Sequence, residues 1–167
     1  SDTLPEDHPF ASLARTLPDG TAGSPDPWLL GSSPDSAAWA GELGLPYCIA
    51  DFINKDALPL ADIYRSNFQP SRWLSEPYVM VGCWAIAAGD MAEAEDLALP
   101  FAVMFAHFLR GQTIRVPSLD NARAWTSDNP IALRRGRRLL LGTGAEVKEQ
   151  IERLADAYGA QEMMLVN

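Results

Sequence analysis

The stretch Pro27-Trp28-Leu29-Leu30-Gly31-Ser32-Ser33-Pro34-Asp35-Ser36, continued through Ala37-Ala38-Trp39-Ala40-Gly41-Glu42-Leu43-Gly44 to Tyr47, reads as a strand, a tight turn and a helix in immediate succession. Trp28-Leu29-Leu30 is a short apolar run that Gly31-Ser32-Ser33 stops. Serine before proline is a strong helix start: the Ser33 hydroxyl can accept from a first-turn amide, and Pro34 lacks only an N–H that would have no partner there. The helix is predicted over 34–43, ending where Gly44 can take the left-handed conformation of a C-terminal cap.

Downstream, the same unit repeats in outline. Tyr47-Cys48-Ile49-Ala50-Asp51-Phe52-Ile53 is an apolar strand broken by one carboxylate. Asp56 is then expected to cap a second helix that carries Ala57, Leu60, Ala61, Tyr64 and Phe68 on one face, with Pro59 in its first turn. Tyr78 to Ala87 is the longest strand, and its near-continuous hydrophobicity indicates that both faces are covered, as in a parallel sheet under helices. Gly89-Asp90 opens a third helix with Ala94, Leu97, Ala98, Phe101, Phe105 and Phe108 at helical spacing, which Pro100 should kink. Residues 111–138 read as polar and irregular, with basic side chains at Arg134, Arg135, Arg137 and Arg138. Leu139-Leu140-Leu141-Gly142 leads into Thr143-Gly144-Ala145-Glu146, the spacing of a capping box. The helix behind it turns Val147, Ile151, Leu154 and Tyr158 inward and stops at Gly159, and a strand over 162–166 closes the sequence. Strands alternating with helices imply an α/β fold with a parallel sheet. Upstream, residues 1–27 read as an irregular N-terminal segment, with one amphipathic piece from Phe10 to Leu17 and prolines at 5, 9, 18, 25 and 27.

Composition narrows the function. The 167 residues carry 22 acidic and 13 basic side chains, a formal charge of −9, which a nucleic-acid polyanion would repel. No apolar run approaches the roughly 20 residues of a membrane span, and Ser1-Asp2-Thr3-Leu4-Pro5-Glu6-Asp7 lacks the basic-then-apolar order of a signal peptide. With two cysteines there is no disulfide framework, so the cytoplasm is the expected compartment. Two histidines exclude a histidine-rich metal site, and no metal is expected.

The chemistry points to the Gly31-Ser32-Ser33 turn. A glycine-serine turn between a strand and a helix start offers backbone N–H groups, hydroxyls and the positive end of a helix dipole, the physics of a phosphate site. Ser33 and Ser36 flank the first helical turn, so both hydroxyls could reach one anion; a plain N-cap with incidental serines is the competing reading. Gly142-Thr143-Gly144 sits in a similar place, but Val147 stands where a dinucleotide fingerprint needs its third glycine, so it reads as a helix start. Asp51, the one carboxylate in its strand, either faces the same pocket as Ser33 or caps a loop amide. Cys48 and Cys83 read as small buried hydrophobes, and His107 as a helix-flank residue. The arginines at 134–138 are either a solvated run or a site for an anion or a neighbouring subunit. No residue is named as a catalytic acid or base.

Taken in order, the stretches PWLLGSSPDSAAWAGELGLPY (27–47), ADIYRSNFQPS (61–71), PYVMVGCWAIAA (77–88) and LLLGTGAEVKEQIERLADAYGAQEMMLV (139–166) resemble the C-terminal half of the bacterial luciferase-like flavin-dependent monooxygenases. The resemblance implies strands five to eight of a TIM-type (β/α)8 barrel over residues 28–167, since a whole barrel takes about 250 residues. It implies an enzyme that uses reduced FMN, or a deazaflavin, and oxygen on a small organic substrate. A flavin reductase is an expected partner, and a homo-oligomer the expected assembly. Gly31, Ser32, Ser33 and Ser36 match the positions that hold the flavin phosphate, and Asp51 is similar in position to a residue near the isoalloxazine ring. A non-catalytic flavin- or phosphate-binding half-barrel, or a piece that assembles only with a complementary half, are the alternatives.

Overall fold

The computed structural model describes Pro5, Asp7, His8 and residues 26–130 and 138–166. The piece expected over Phe10–Leu17 and three of the four clustered arginines, Arg134, Arg135 and Arg137, lie outside the described residues. Five parallel strands and five helices follow one another as β1 (Leu29–Gly31), α1 (Pro34–Glu42), β2 (Tyr47–Ala50), α2 (Leu58–Asn67), β3 (Val79–Ala87), α3 (Met91–Phe108), α4 (Leu119–Asp128), β4 (Leu139–Gly142), α5 (Gly144–Tyr158) and β5 (Glu162–Val166). The α/β plan with a parallel sheet is the observed one.

β3 organises the sheet. Nine residues long, it pairs with β2 from Val79 to Gly82, with β5 from Met80 to Trp84 and with β4 from Trp84 to Ala87. β1 joins outside β2 in the register Leu29↔Tyr47, Leu30↔Cys48, Gly31↔Ile49. Alternate side chains go to opposite faces, and each face has its own cover. One face packs Tyr47, Ile49, Val79, Val81, Cys83 and Leu140 against Ala37 and Ala40 of α1, Leu60, Ala61 and Tyr64 of α2, and Val147, Leu154 and Tyr158 of α5. Along β3 and β4 the other face packs Trp84, Ile86, Leu139 and Leu141 against Ala94 and Ala98 of α3. Coverage on both sides explains why β4 is buried throughout and reads as an unbroken apolar run; β2, also buried throughout, lies between β1 and β3. β1 is the exception, since Leu29 packs on the helix side while Leu30 opposite it stays 54% exposed.

Several local expectations hold. Ser33 caps α1, with Pro34 in its first turn. At the far end Gly44 takes φ +61, and Leu45 N–H donates to Ala40 O while Gly44 N–H donates to Gly41 O, a Schellman closure. Thr143 and Glu146 form the capping box of α5, and Gly159 closes that helix with φ +57. Cys48 and Cys83 are free and buried, each thiol pushed up to about 11 chiefly by that burial.

Other expectations are corrected. The second strand ends at Ala50, not Ile53: Ile53 and Asn54 N–H both donate to Ala50 O, so Asp51 begins a turn. Ala57, not Asp56, occupies the N-cap of α2 and supplies no side-chain bond there; Asp56 accepts from Lys55 Nζ at 3.0 Å instead. Leu139–Gly142 is a strand in its own right, making five where the sequence reading counted four. Residues 119–128, read as irregular, form α4 capped by Ser118. Ala122 is its one buried residue, too little apolar periodicity to betray a helix.

Candidate functional site

The Gly31-Ser32-Ser33 turn is built by three constraints. β1 delivers the chain to it, α1 starts immediately after it, and the two serines close a reciprocal box. Ser36 N–H donates to Ser33 Oγ at 3.3 Å and Ser33 N–H to Ser36 Oγ at 3.3 Å, while Ser36 Oγ–H donates to Ser33 O at 2.8 Å. Ser36 folds back over Gly31 so closely that a Cβ there would lie 2.1 Å from Ser36 Oγ. Only glycine leaves that space, which explains its presence between the strand and the serines.

Two further side chains hold the turn. The buried Tyr47 hydroxyl lies 2.9 Å from Ser36 Oγ. Asn54, on the turn after β2, donates from Nδ2 to Ser32 O at 3.2 Å. Ser33 itself is exposed. The Asp35 amide, in the first helical turn, has no acceptor within the helix. Among the described residues, no lysine or arginine bonds to residues 31–36, so the turn presents neutral donors and the helix N-terminus alone.

Asp51 takes another path. Its carboxylate is fully buried and accepts from Tyr158 Oη–H at 2.8 Å and from Arg138 Nε–H at 3.0 and 3.2 Å. Arg138 also donates from Nη2 to Lys55 O at 2.7 Å, so it grips both ends of the turn over 51–55. A buried carboxylate survives only when paired and hydrogen-bonded, and this one is. Tyr158 belongs to the core between sheet and helices; its hydroxyl titrates well above the ordinary range, raised first by burial and then by its bond to Asp51. Neither of the two sequence readings of Asp51 describes this: its bonds run to Arg138 and Tyr158, not to the Gly31 turn or to a loop amide. Among the described members of the arginine cluster, Arg138 is thus engaged within the chain.

The structure therefore gathers Gly31, Ser32, Ser33 and Ser36, adds Tyr47 and Asn54, and ties Asp51 to Arg138 and Tyr158. A signal for the last trio is present in the sequence. An inward-facing tyrosine on α5 and a lone carboxylate at a strand end each need a partner, and Arg138 is the basic residue that enters β4.

Known proteins resemble the chain in sequence and in fold. The chain is 34% identical over 170 residues to the uncharacterised protein YceB of Bacillus subtilis, covering 99% of the chain and 51% of that protein. It is 34% identical over 142 residues to a luciferase-like monooxygenase of Escherichia coli, covering 83% of the chain and 42% of the relative. The chain is a relative of the luciferase-like monooxygenases. It spans about half the length of the curated relatives it matches. Among solved structures, apo-MsnO8 superposes with a TM-score of 0.75 at 30% identity, over 87% of this chain and 46% of that one. The oxygenating constituent of 3,6-diketocamphane monooxygenase from Pseudomonas putida, solved in complex with FMN, superposes at 0.56 with 20% identity over 86% of this chain and 42% of that one, a likeness of fold. No family model matches the chain. Among the described residues, no helix is long and apolar enough to cross a membrane and no cluster of side chains could hold a metal ion.

Proposed function

We propose that this chain is the C-terminal half-barrel, over residues 28–167, of a flavin-dependent monooxygenase acting on a small organic substrate, and that Gly31, Ser32, Ser33 and Ser36 bind the phosphate of FMN. The observation that carries the reading is the neutral serine box at the start of α1. Its helix N-terminus carries an exposed Ser33 and an Asp35 amide with no acceptor among the described residues, while Gly31 lets the backbone and Ser36 pack into one cradle. These groups suit a phosphate: oxyanions accept from hydroxyl and backbone N–H donors, and the helix dipole favours their charge. A deazaflavin, whose side chain also carries phosphate, would use the same donors.

When bound, a reduced flavin supplies the two-electron chemistry with dioxygen that a monooxygenase needs. The residues of this chain bind and orient. Ser33 and the first-turn amide hold the phosphate, and Asn54 keeps the Ser32 carbonyl turned away from it. Asp51, held by Arg138 and Tyr158, fixes the 51–55 turn from which Asn54 reaches across, so its role toward the flavin is one of position. The barrel reading is supported by the parallel sheet, by α1, α2 and α5 together on one of its faces, and by the exposed Leu30 on the opposite face. β1 pairs only with β2 among the described residues, and a complementary half would cover that edge.

Adding FMN to the purified full-length protein tests the reading. The expected result is a shifted flavin absorbance spectrum with saturable binding, followed by NADH-driven oxygen consumption when a flavin reductase and an acceptor substrate are present. Binding without oxygen consumption in any acceptor screen would leave a flavin carrier, and no binding would remove the cofactor reading altogether.

A further inference from the structure

We infer that Tyr47 is a positioning residue of the phosphate turn, its buried hydroxyl setting the Ser36 side chain that faces the bound anion. The inference rests on the phosphate reading above and adds a residue that makes no contact with the ligand. Tyr47 opens β2, eleven positions after Ser36, and its ring is fully buried beside Tyr64 at a centroid distance of 5.5 Å. A buried phenol hydroxyl without a partner would be costly. Among the described residues its hydrogen-bond partner is Ser36 Oγ, at 2.9 Å.

The proton inventory at Ser36 gives the link its content. A serine hydroxyl has one proton and two lone pairs. Ser36 Oγ commits its proton to Ser33 O at 2.8 Å, so Tyr47 Oη–H is the donor of the 2.9 Å bond, the shortest that Ser36 Oγ accepts, since Ser33 N–H and Ser33 Oγ–H each reach it at 3.3 Å. When an anion draws the Ser36 proton outward, the Tyr47 bond stays in place behind the oxygen and the side chain keeps its rotamer. Burial raises the Tyr47 phenol above its ordinary value, which keeps that proton on it across the physiological range. Gly31 makes the room that Ser36 occupies, since an added Cβ there would lie 2.1 Å from Ser36 Oγ. Tyr47 then holds Ser36 in that space.

The test is a double-mutant cycle in the full-length protein, with Tyr47→Phe, Ser36→Ala and the pair, titrated with FMN and with riboflavin, which lacks the phosphate. Tyr47→Phe removes a single oxygen and should weaken FMN binding by about five- to tenfold, the worth of one hydrogen bond, while riboflavin affinity stays within about twofold. In the Ser36→Ala background, Tyr47→Phe should weaken FMN no further. An equal loss for both flavins, an undiminished loss in the Ser36→Ala background, or no loss at all would each overturn the assignment. Wild-type protein that binds riboflavin and FMN equally well would instead strike the phosphate reading itself, so the two failures are told apart. Ser36→Ala alone, at an exposed helix start, keeps the test open if Tyr47→Phe does not fold: it should lose FMN and spare riboflavin.

Discussion

Two strand-to-helix turns in this molecule close by the same kind of capping box and differ in the charge of the side chain that completes it. At both, a glycine ends the strand, a hydroxyl residue caps the helix, and the side chain at the third helical position folds back to close a capping box. At α5 that side chain is Glu146, whose Oε2 accepts from Thr143 N–H at 2.8 Å and from Thr143 Oγ1 at 2.9 Å. At α1 it is Ser36, neutral and propped by Tyr47. The glycines make matching room: an added Cβ would meet Glu146 Oε2 at 2.6 Å from Gly142, and Ser36 Oγ at 2.1 Å from Gly31. The α5 start therefore carries its own anion on the positive end of the helix, whereas the α1 start leaves that charge for something else. Asp35 also lies in the first turn of α1, but it is exposed and accepts no hydrogen bond from the turn among the described residues. The glycines differ, since Gly142 takes φ +142 and adjoins its cap while Gly31 stands two residues before Ser33; the shared feature is the capping box, and the charge of the side chain that closes it is what differs.

The sharpest way to break the comparison is to copy the second turn into the first. Ser36→Glu should preserve a capping box yet fill the α1 start with a carboxylate. A phosphate about 4 Å from that charge would meet several kcal/mol of repulsion, so FMN affinity should fall by at least ~100-fold, read by equilibrium titration. Unaltered affinity would mean the phosphate binds elsewhere. Removing the hydroxyls instead, with Ser33→Ala and Ser36→Ala together, should cost more than ~10-fold, each charge-assisted bond being worth roughly 1.5–3 kcal/mol. The counterpart at the other turn, Thr143→Ala, should leave FMN binding alone and lower unfolding free energy by about 1 kcal/mol, the usual worth of an N-cap.

Both turns were legible in the sequence because their grammar is local. A serine before a proline and a threonine three residues ahead of a glutamate specify their own hydrogen bonds, whatever the rest of the chain does. The parallel sheet was legible from the unbroken apolar run at 78–87. What escaped depended on distant partners or on weak patterns. β4 is four apolar residues, too few for periodicity to tell strand from approach to a helix. Asp56 has the composition of a cap but sits one position early, and it pairs with its neighbour Lys55 in preference. Asp51 was singled out correctly as an unusual carboxylate, yet its partners lie 87 and 107 residues away. No local rule links those positions; only the packing of α5 and β4 against β3, the strand that also pairs with β2, brings them together. Tyr47 was hidden for the opposite reason: a tyrosine opening a strand reads as core, and the hydroxyl that matters to Ser36 is its least conspicuous part.

The smallest effect sharpens the comparison from the α5 side. The Glu146 carboxyl is held below its usual range, first by the Thr143 backbone N–H and then by the Thr143 hydroxyl. A depressed folded-state value means that the carboxylate form is the one the fold favours. Its contribution is fully present above the unfolded value of about 4.3 and is lost as pH falls through the lower folded value. Glu146→Gln keeps the length and the acceptor oxygen but cannot titrate. At pH 7 the variant should be slightly less stable to urea than the wild type, and the gap should close as the pH is lowered toward 3. Ser36, having no charge to lose, should show no such behaviour: Ser36→Ala should shift the urea midpoint by the same amount at both pH values. If the Glu146→Gln gap were instead constant across that range, the carboxylate would not be acting as the resident anion of α5, and the two helix starts would differ in shape alone.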